Sequence, residues 1–248
     1  MNDAPTNSAP PATARWRLAR PIPLTLALPV GERLRDAALG QAAEVCGGEA
    51  VPWVISGHDL PERAQHHHAF YLSEDADGDG WIDHLVVHAE AGLAPLALAA
   101  LRRLNRLFDA ALFETELLEL WTGDGRTARA GGTLLGTARL WLSTTPYLPP
   151  WHRKKRGRGS EVGDYLRREC AQRGLPVILR VGLFSDLVPP LPEPPVRAFW
   201  RERRGHLPPP YLPGWFLAVE FAEPVSGPLA LGYGCHFGLG VFCPAEAA

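Results

Sequence analysis

The chain has 248 residues, 46% of them hydrophobic and 21% charged. That suffices for one large domain or two small ones with a real core, and it argues against disorder as the default state. No apolar run reaches the roughly 18 residues needed to span a bilayer. The opening stretch, residues 1–11, has neither a basic start nor an apolar segment, so it reads as a tail rather than a signal peptide, and a cytoplasmic protein is expected.

Residues 1–14 are expected as a disordered tail. Residues 22–29 read as a first strand, with Pro23 near its start. Residues 31–44 follow as a helix, with Leu34, Ala37, Ala38 and Leu39 at helical spacing and Gly47 and Gly48 as its stop. Two β-prone runs, 68–72 and 81–88, flank an Asp/Gly-rich turn and predict a hairpin. Residues 93–108 predict a helix ending in Arg102, Arg103 and Arg106, cations that suit a helix C-terminus. Residues 112–121 predict a strand. The order strand, helix, hairpin, helix, strand is that of a ferredoxin-like unit.

A second cycle begins near Gly131. Residues 133–143 read as a strand, 160–173 as a helix with Ser160 as N-cap and Gly174 as stop, and 177–184 as a strand. A proline-rich stretch, a short basic segment (197–203) and a strand at 215–221 come next. No second helix is visible in this half. The expected fold class is therefore α+β. It has two ferredoxin-like (RRM-like) halves, residues 15–128 and 129–244, the second degraded and closing on a glycine-rich loop.

Net charge is only −2, but its distribution is uneven. Between Trp151 and Arg204 stand 13 Lys/Arg against 6 Asp/Glu, a surplus of seven positive charges on an otherwise acidic chain. Five cations fall within Arg153, Lys154, Lys155, Arg156 and Arg158. They read either as a solvated loop or as an arm on RNA phosphates, with Trp151 or Tyr147 available to stack on a base and Arg197, Arg201, Arg203 and Arg204 to extend the track. Cys46, Cys170, Cys235 and Cys243 show no metal-knuckle spacing and are expected as reduced thiols.

Three further segments carry candidate chemistry. Gly232, Gly234, Gly238 and Gly240 are interleaved with Tyr233, His236 and Phe237. The segment is either a structural hairpin or a backbone that approaches phosphate; it lacks the Lys-Ser/Thr of a Walker loop. His66, His67 and His68 precede a strand. In strand geometry His66 and His68 share a face, and pairing Leu72 near Ile82 puts His66 opposite His88, a candidate base and acid; a solvated strand entrance is the alternative. Asp59, Glu62 and Asp83 stand near these histidines and suit turn or surface roles better than orienting an imidazole. Asp75, Asp77, Asp79 and Asp83 with Gly80 imitate the start of an EF-hand loop, but Val86 occupies the twelfth position, where a bidentate Glu is required. A hairpin turn is expected there, with at most weak calcium or magnesium stapling. No Gly-x-Ser-x-Gly elbow supports acyl hydrolysis.

Six segments in order carry a family resemblance: Ser56-Gly-His-Asp59, His66-His-His-Ala-Phe-Tyr-Leu72, Asp75-Ala-Asp-Gly-Asp-Gly-Trp-Ile-Asp-His84, Ser143-Thr-Thr-Pro-Tyr-Leu-Pro-Pro-Trp-His152, Arg168-Glu-Cys-Ala-Gln-Arg-Gly-Leu-Pro176 and Gly232-Tyr-Gly-Cys-His-Phe-Gly-Leu-Gly240. Together they resemble the repeat-associated (RAMP) CRISPR proteins. More closely, they resemble the processing half of the fused subunit of a minor type I system, subtype I-U, also called I-G. Fused members carry a further backbone-type half, for which 248 residues leave no room.

The resemblance implies a CRISPR RNA-processing endoribonuclease. Its 2′-hydroxyl attack on the adjacent phosphate needs no metal and no cofactor and leaves a 2′,3′-cyclic phosphate. His68, His66, His67 and His88 are the candidate catalytic residues. Trp151, Arg153, Lys154, Lys155, Arg156, Arg158, Gly234, His236, Gly238 and Gly240 are the candidate RNA contacts. CRISPR repeat RNA is the expected partner, with other subunits of a type I effector complex. A non-catalytic RNA-binding subunit of such a complex is the first rival, and a calcium-stapled scaffold the second.

Overall fold

The computed structural model describes residues 10–62, 66–124, 133–150, 162–183, 196–199 and 214–245. The first half contains β1 (Thr13–Pro23), α1 (Ala27–Cys46), α2 (Trp53–Ser56), β2 (Phe70–Glu74), β3 (Trp81–His88), α3 (Pro95–Arg102), β4 (Arg106–Asp109) and β5 (Phe113–Gly123). Its sheet runs β2-β3-β1-β5-β4 with every pairing antiparallel. The second half contains β6 (Thr137–Ser143), α4 (Val162–Gln172), β7 (Ile178–Leu183), β8 (Leu217–Ser226), β9 (Leu229–Ala230) and β10 (Val241–Ala245). Its sheet, β7-β8-β6-β10-β9, is likewise antiparallel and repeats the same order of strands. The α+β class with two ferredoxin-like halves holds.

Several boundaries differ from the sequence reading: the strand expected over 133–143 opens as a 3-10 turn (Thr133–Leu135) and begins at Thr137, and the strand expected over 215–221 runs from Leu217 to Ser226. The first strand begins at Thr13, inside the expected tail, and ends at Pro23. Ala14, Trp16 and Leu18 alternate inward and are buried, which is the period of a half-buried strand. The apolar run 22–29, read as a strand, is instead the strand's end, a 3-10 turn (Leu24–Leu26) and the first turn of α1, where Pro29 costs no helical hydrogen bond. The helix expected over 93–108 stops at Arg102, and Arg106 opens β4. Pairing of Arg106 with Glu116 and burial of Leu107 outweigh the helical periodicity there.

Among the described residues, three packed clusters form the interior. Trp16, Leu34, Ile55, Tyr71 and Leu85 lie between the first sheet and α1. Trp141, Leu166, Val219 and Phe221 lie between the second sheet and α4. Phe70, Leu72 and Val86 leave the first sheet by its other face and meet Leu134, Ala230, Cys235 and Val241, so the halves share a core. Beside it, Glu74 is fully buried. Its carboxylate pairs with Arg15 Nε at 2.7 Å and accepts from Thr133 Oγ1 at 2.8 Å and Leu134 N at 3.2 Å. Between β8 and β10, where a complete ferredoxin-like repeat places its second helix, the chain forms β9 and a glycine-rich loop with one 3-10 turn, Cys235–Phe237. That replacement positions the site.

Among the described residues, no helix is long and apolar enough to cross a membrane. Cys46, Cys170, Cys235 and Cys243 are free thiols.

Candidate active site

The histidine run does not lie in a strand. His66, His67 and His68 form a turn ahead of β2, fastened where Ala69 N donates to the Val54 carbonyl at 2.8 Å. In a turn the alternation rule lapses. His67 is exposed, with its Nδ1 3.2 Å from a Glu90 carboxylate oxygen, while His66 and His68 are half-buried.

The hairpin register also differs. Leu72 pairs with Val86, not Ile82, and Phe70 with His88. The reason is the length of the aspartate turn. Asp75 accepts backbone N–H groups from Gly78 at 2.7 Å, Asp79 at 3.1 Å and Gly80 at 2.9 Å, and the connection it holds leaves residues 75–83 between the paired Glu74 and His84. His88 is thereby opposite Phe70, its Nδ1 2.8 Å from Thr13 Oγ1, and burial lowers its pKa to about 4. It is not the partner of His66. Asp83 accepts from Ala76 N and lies 2.6 Å from His84 Nδ1, so it does not orient the run either. Asp59 and Glu62 are exposed.

The partner of the run comes from the far end of the chain. The 3-10 turn carrying His236 sits between Gly234 and Gly238, both at positive φ. It packs directly on α1: a Cβ at Gly31 would stand 2.5 Å from the Phe237 carbonyl oxygen and 2.6 Å from that of Tyr71. Only a glycine in the helix allows this approach. The His236 ring lies 3.9 Å from the Phe70 ring, 4.1 Å from His68 and 5.6 Å from His66, centroid to centroid. Its Nδ1 is 3.2 Å from the Ala69 carbonyl and its Nε2 is 3.4 Å from His66 Nδ1. Donation from Nδ1–H to that carbonyl leaves Nε2 as an acceptor facing His66.

Among the described residues, two guanidinium groups border the trio. Arg35, from α1, donates to the Ser56 carbonyl at 2.7 Å and reaches within 3.5 Å of His58 Nε2. Arg173, just past α4, donates to the Ala230 carbonyl at 2.6 Å and lies with its Cζ 5.7 Å from the Phe70 ring. Burial, then Arg173 and the neighbouring histidines, lowers His66 to about 4. Burial chiefly, against the raising effect of the Ala69 carbonyl, lowers His236 to about 3. Burial and then Arg35 lower His68. Near neutral pH all three rings are uncharged, which makes them proton acceptors. An anion bound among them would favour the charged form and restore a proton donor.

Of the expected RNA contacts, Gly234, His236, Gly238 and Gly240 belong to this loop. Trp151, Arg153, Lys154, Lys155, Arg156 and Arg158 lie outside the described residues, as do Arg201, Arg203 and Arg204. Tyr147 is not available for stacking: it is fully buried and donates its hydroxyl to Glu169 at 3.3 Å. Arg35 and Arg173 were missed. Arg173 stands four residues after Glu169, a spacing that reads as an ordinary helix-surface ion pair.

Asp75, Asp77 and Asp79 bring one carboxylate oxygen each within 4.8 Å of one another. All three already accept N–H groups of their own turn, and Val86 lies inside β3 rather than in a following helix.

No protein family matches the chain, and no curated protein does. Solved structures similar to the chain include two that cover nearly all of it. One is described as "An RAMP protein binding different RNA substrates": 9% identity, TM-score 0.47, covering 95% of this chain and 100% of that one. The other is a Cas6 product complex: 12% identity, TM-score 0.44, covering 96% of this chain and 100% of that one. Overlap of that quality lends no weight to an activity, so a functional reading rests on the site's own geometry.

Proposed function

We propose that the chain binds CRISPR repeat RNA and cuts it without a metal, with His66, His68 and His236 as the acid–base groups. One observation carries the reading. Two imidazoles from the turn before β2 and one from the C-terminal glycine-rich loop converge, with two ring nitrogens 3.4 Å apart.

The chemistry fits that arrangement. A neutral imidazole takes the proton of a ribose 2′-hydroxyl as the 2′-oxygen bonds to phosphorus. The bond from phosphorus to the 5′-oxygen breaks, and a second, protonated imidazole gives that oxygen its proton. The products are a 2′,3′-cyclic phosphate and a 5′-hydroxyl, and each proton is accounted for. The sequence reading named His66 and His68 for this work. His236 joins them in place of His88, and His67, exposed and beside Glu90, is left as a surface contact. The basic segment at Trp151, Arg153, Lys154, Lys155, Arg156 and Arg158 is assigned to phosphate contacts. Other subunits of a type I effector complex are further proposed partners.

The test uses the full chain and an end-labelled RNA of the source genome's CRISPR repeat, incubated in EDTA. Cleavage to a cyclic-phosphate product is expected. Binding without cleavage would replace the enzyme with a non-catalytic RNA-binding subunit.

A further inference from the structure

The reaction proposed above develops a second negative charge on the non-bridging phosphate oxygens, and the imidazoles that serve as base and acid do not neutralise it. The cluster that the sequence offered for this task, Arg153, Lys154, Lys155, Arg156 and Arg158, lies outside the described residues. Of the two guanidinium groups beside the rings, Arg35 is turned to the Ser56 carbonyl and His58, and Arg173 belongs to the second half of the molecule.

Glu169 lies in the last turn of α4 and is buried. Its Oε1 accepts from Gly232 N at 2.8 Å, at the start of the glycine-rich loop, and lies 3.6 Å from Arg173 Nη1. Its Oε2 accepts from the Tyr147 hydroxyl at 3.3 Å. One carboxylate thus ties together the helix end, the loop that carries His236, and a guanidinium. Arg173 in turn donates to the Ala230 carbonyl through Nη1, the same nitrogen that faces Glu169. Among the described residues both contacts use Nη1. The guanidinium lies against the Phe70 ring, and that ring is stacked at 3.9 Å on His236. Its side chain is 13% exposed, so its charge acts through little water.

We infer that Arg173 is the cation that contacts the phosphate being cut, and that Glu169 is the buried residue that positions it. This rests on the nuclease reading and deepens it. Arg173 forms no bond in the reaction. It donates hydrogen bonds to the non-bridging oxygens as charge builds there, which is where a preformed donor counts most. Glu169 touches neither RNA nor phosphorus. It fixes the guanidinium relative to the loop, so that cation and imidazole keep one spacing.

Arg173→Gln is the informative variant, because glutamine can still donate to the Ala230 carbonyl while the charge is lost. Two readouts separate this inference from the one beneath it. The first is binding of a repeat RNA with a 2′-deoxyribose at the cleavage position, measured over a series of salt concentrations. Losing one phosphate contact lowers the slope of log affinity against log salt by about 0.7 to 0.9. The second is single-turnover cleavage, for which a loss of about 100-fold is expected in Arg173→Gln and partial rescue in Arg173→Lys. Glu169→Gln is expected to lower kcat about tenfold with KM little changed, and to have no further effect in the Arg173→Gln background. Failure of the wild type to cut overturns the nuclease reading, and the salt slope still judges the phosphate contact. A folded Arg173→Gln protein with an unchanged slope overturns the inference. So does a Glu169→Gln loss that adds fully to that of Arg173→Gln, the behaviour of a merely structural residue.

Discussion

His236 Nε2 stands 3.4 Å from His66 Nδ1, across 170 residues of sequence. The contact joins the turn before β2 to the loop that replaces the second helix of the second half. Replacing His236 with alanine is expected to slow single-turnover cleavage of repeat RNA by about 100- to 10,000-fold, and the same for His66 or His68, with binding nearly kept. His88→Asn is expected to cut near the wild-type rate. Wild-type cleavage by the His66/His68/His236 triple variant would sink the assignment.

The same pair sets a pH dependence of stability. Burial lowers His66 to about 4 and His236 to about 3, from an ordinary value of 6.5. As pH falls, the unfolded chain takes up these protons before the folded one does. Their contribution is therefore complete above 6.5 and is lost as pH falls through that value toward 3. Melting temperature should drop over this window in the wild type. The drop should shrink in a His66→Asn/His236→Asn variant, and identical pH profiles for the two proteins would contradict the lowered values.

The packing of the loop on α1 gives a paired test on one helix. A Cβ at Gly31 would press on backbone oxygens of Phe237 and Tyr71, whereas at Gly40 it would meet nothing within 4 Å. Gly31→Ala is expected to cost about 1–3 kcal/mol and to impair cleavage by displacing His236. Gly40→Ala is expected to gain about 0.5–1 kcal/mol from helix propensity. Denaturant melts check both; a Gly31→Ala protein as stable and active as wild type would place the loop elsewhere.

Glu74 offers a test of how the halves are joined. Glu74→Ala leaves Arg15, whose side chain is 14% exposed, without its carboxylate, and strips the acceptor from Thr133 and Leu134. Breaking a buried pair from one side costs about 3–5 kcal/mol. Chemical denaturation showing a loss under about 1 kcal/mol would mean that the pair is not buried as described.

Neutralising Arg153, Lys154, Lys155 and Arg156 together is expected to weaken repeat-RNA binding and flatten its salt dependence, since phosphate contacts release counterions. Filter binding at two salt concentrations suffices. Equal affinity loss at both would assign these residues a role other than phosphate contact.

Much of the fold was legible. The aspartate turn between two β-prone runs, the amphipathic stretches of α1 and α4, and the strand–helix–hairpin order are local patterns, and local propensity with short-range pairing decides them. Pairs such as Leu72 with Val86 were not legible, because register depends on how many residues the turn holds, and that depends on which N–H groups Asp75 captures.

The sequence by itself determined the α+β class, the repeated half and the cluster of candidate imidazoles at residues 66–68. Only the tertiary structure decided which histidine meets them. His88, a neighbour through the hairpin, is drawn into the sheet beside Thr13, and His236, distant along the chain, is carried in by a loop seated on Gly31. The physical reason is that this site forms where two halves share buried surface. Contacts across such a surface are fixed by packing and by buried carboxylates such as Glu74 and Glu169, not by any spacing within one segment.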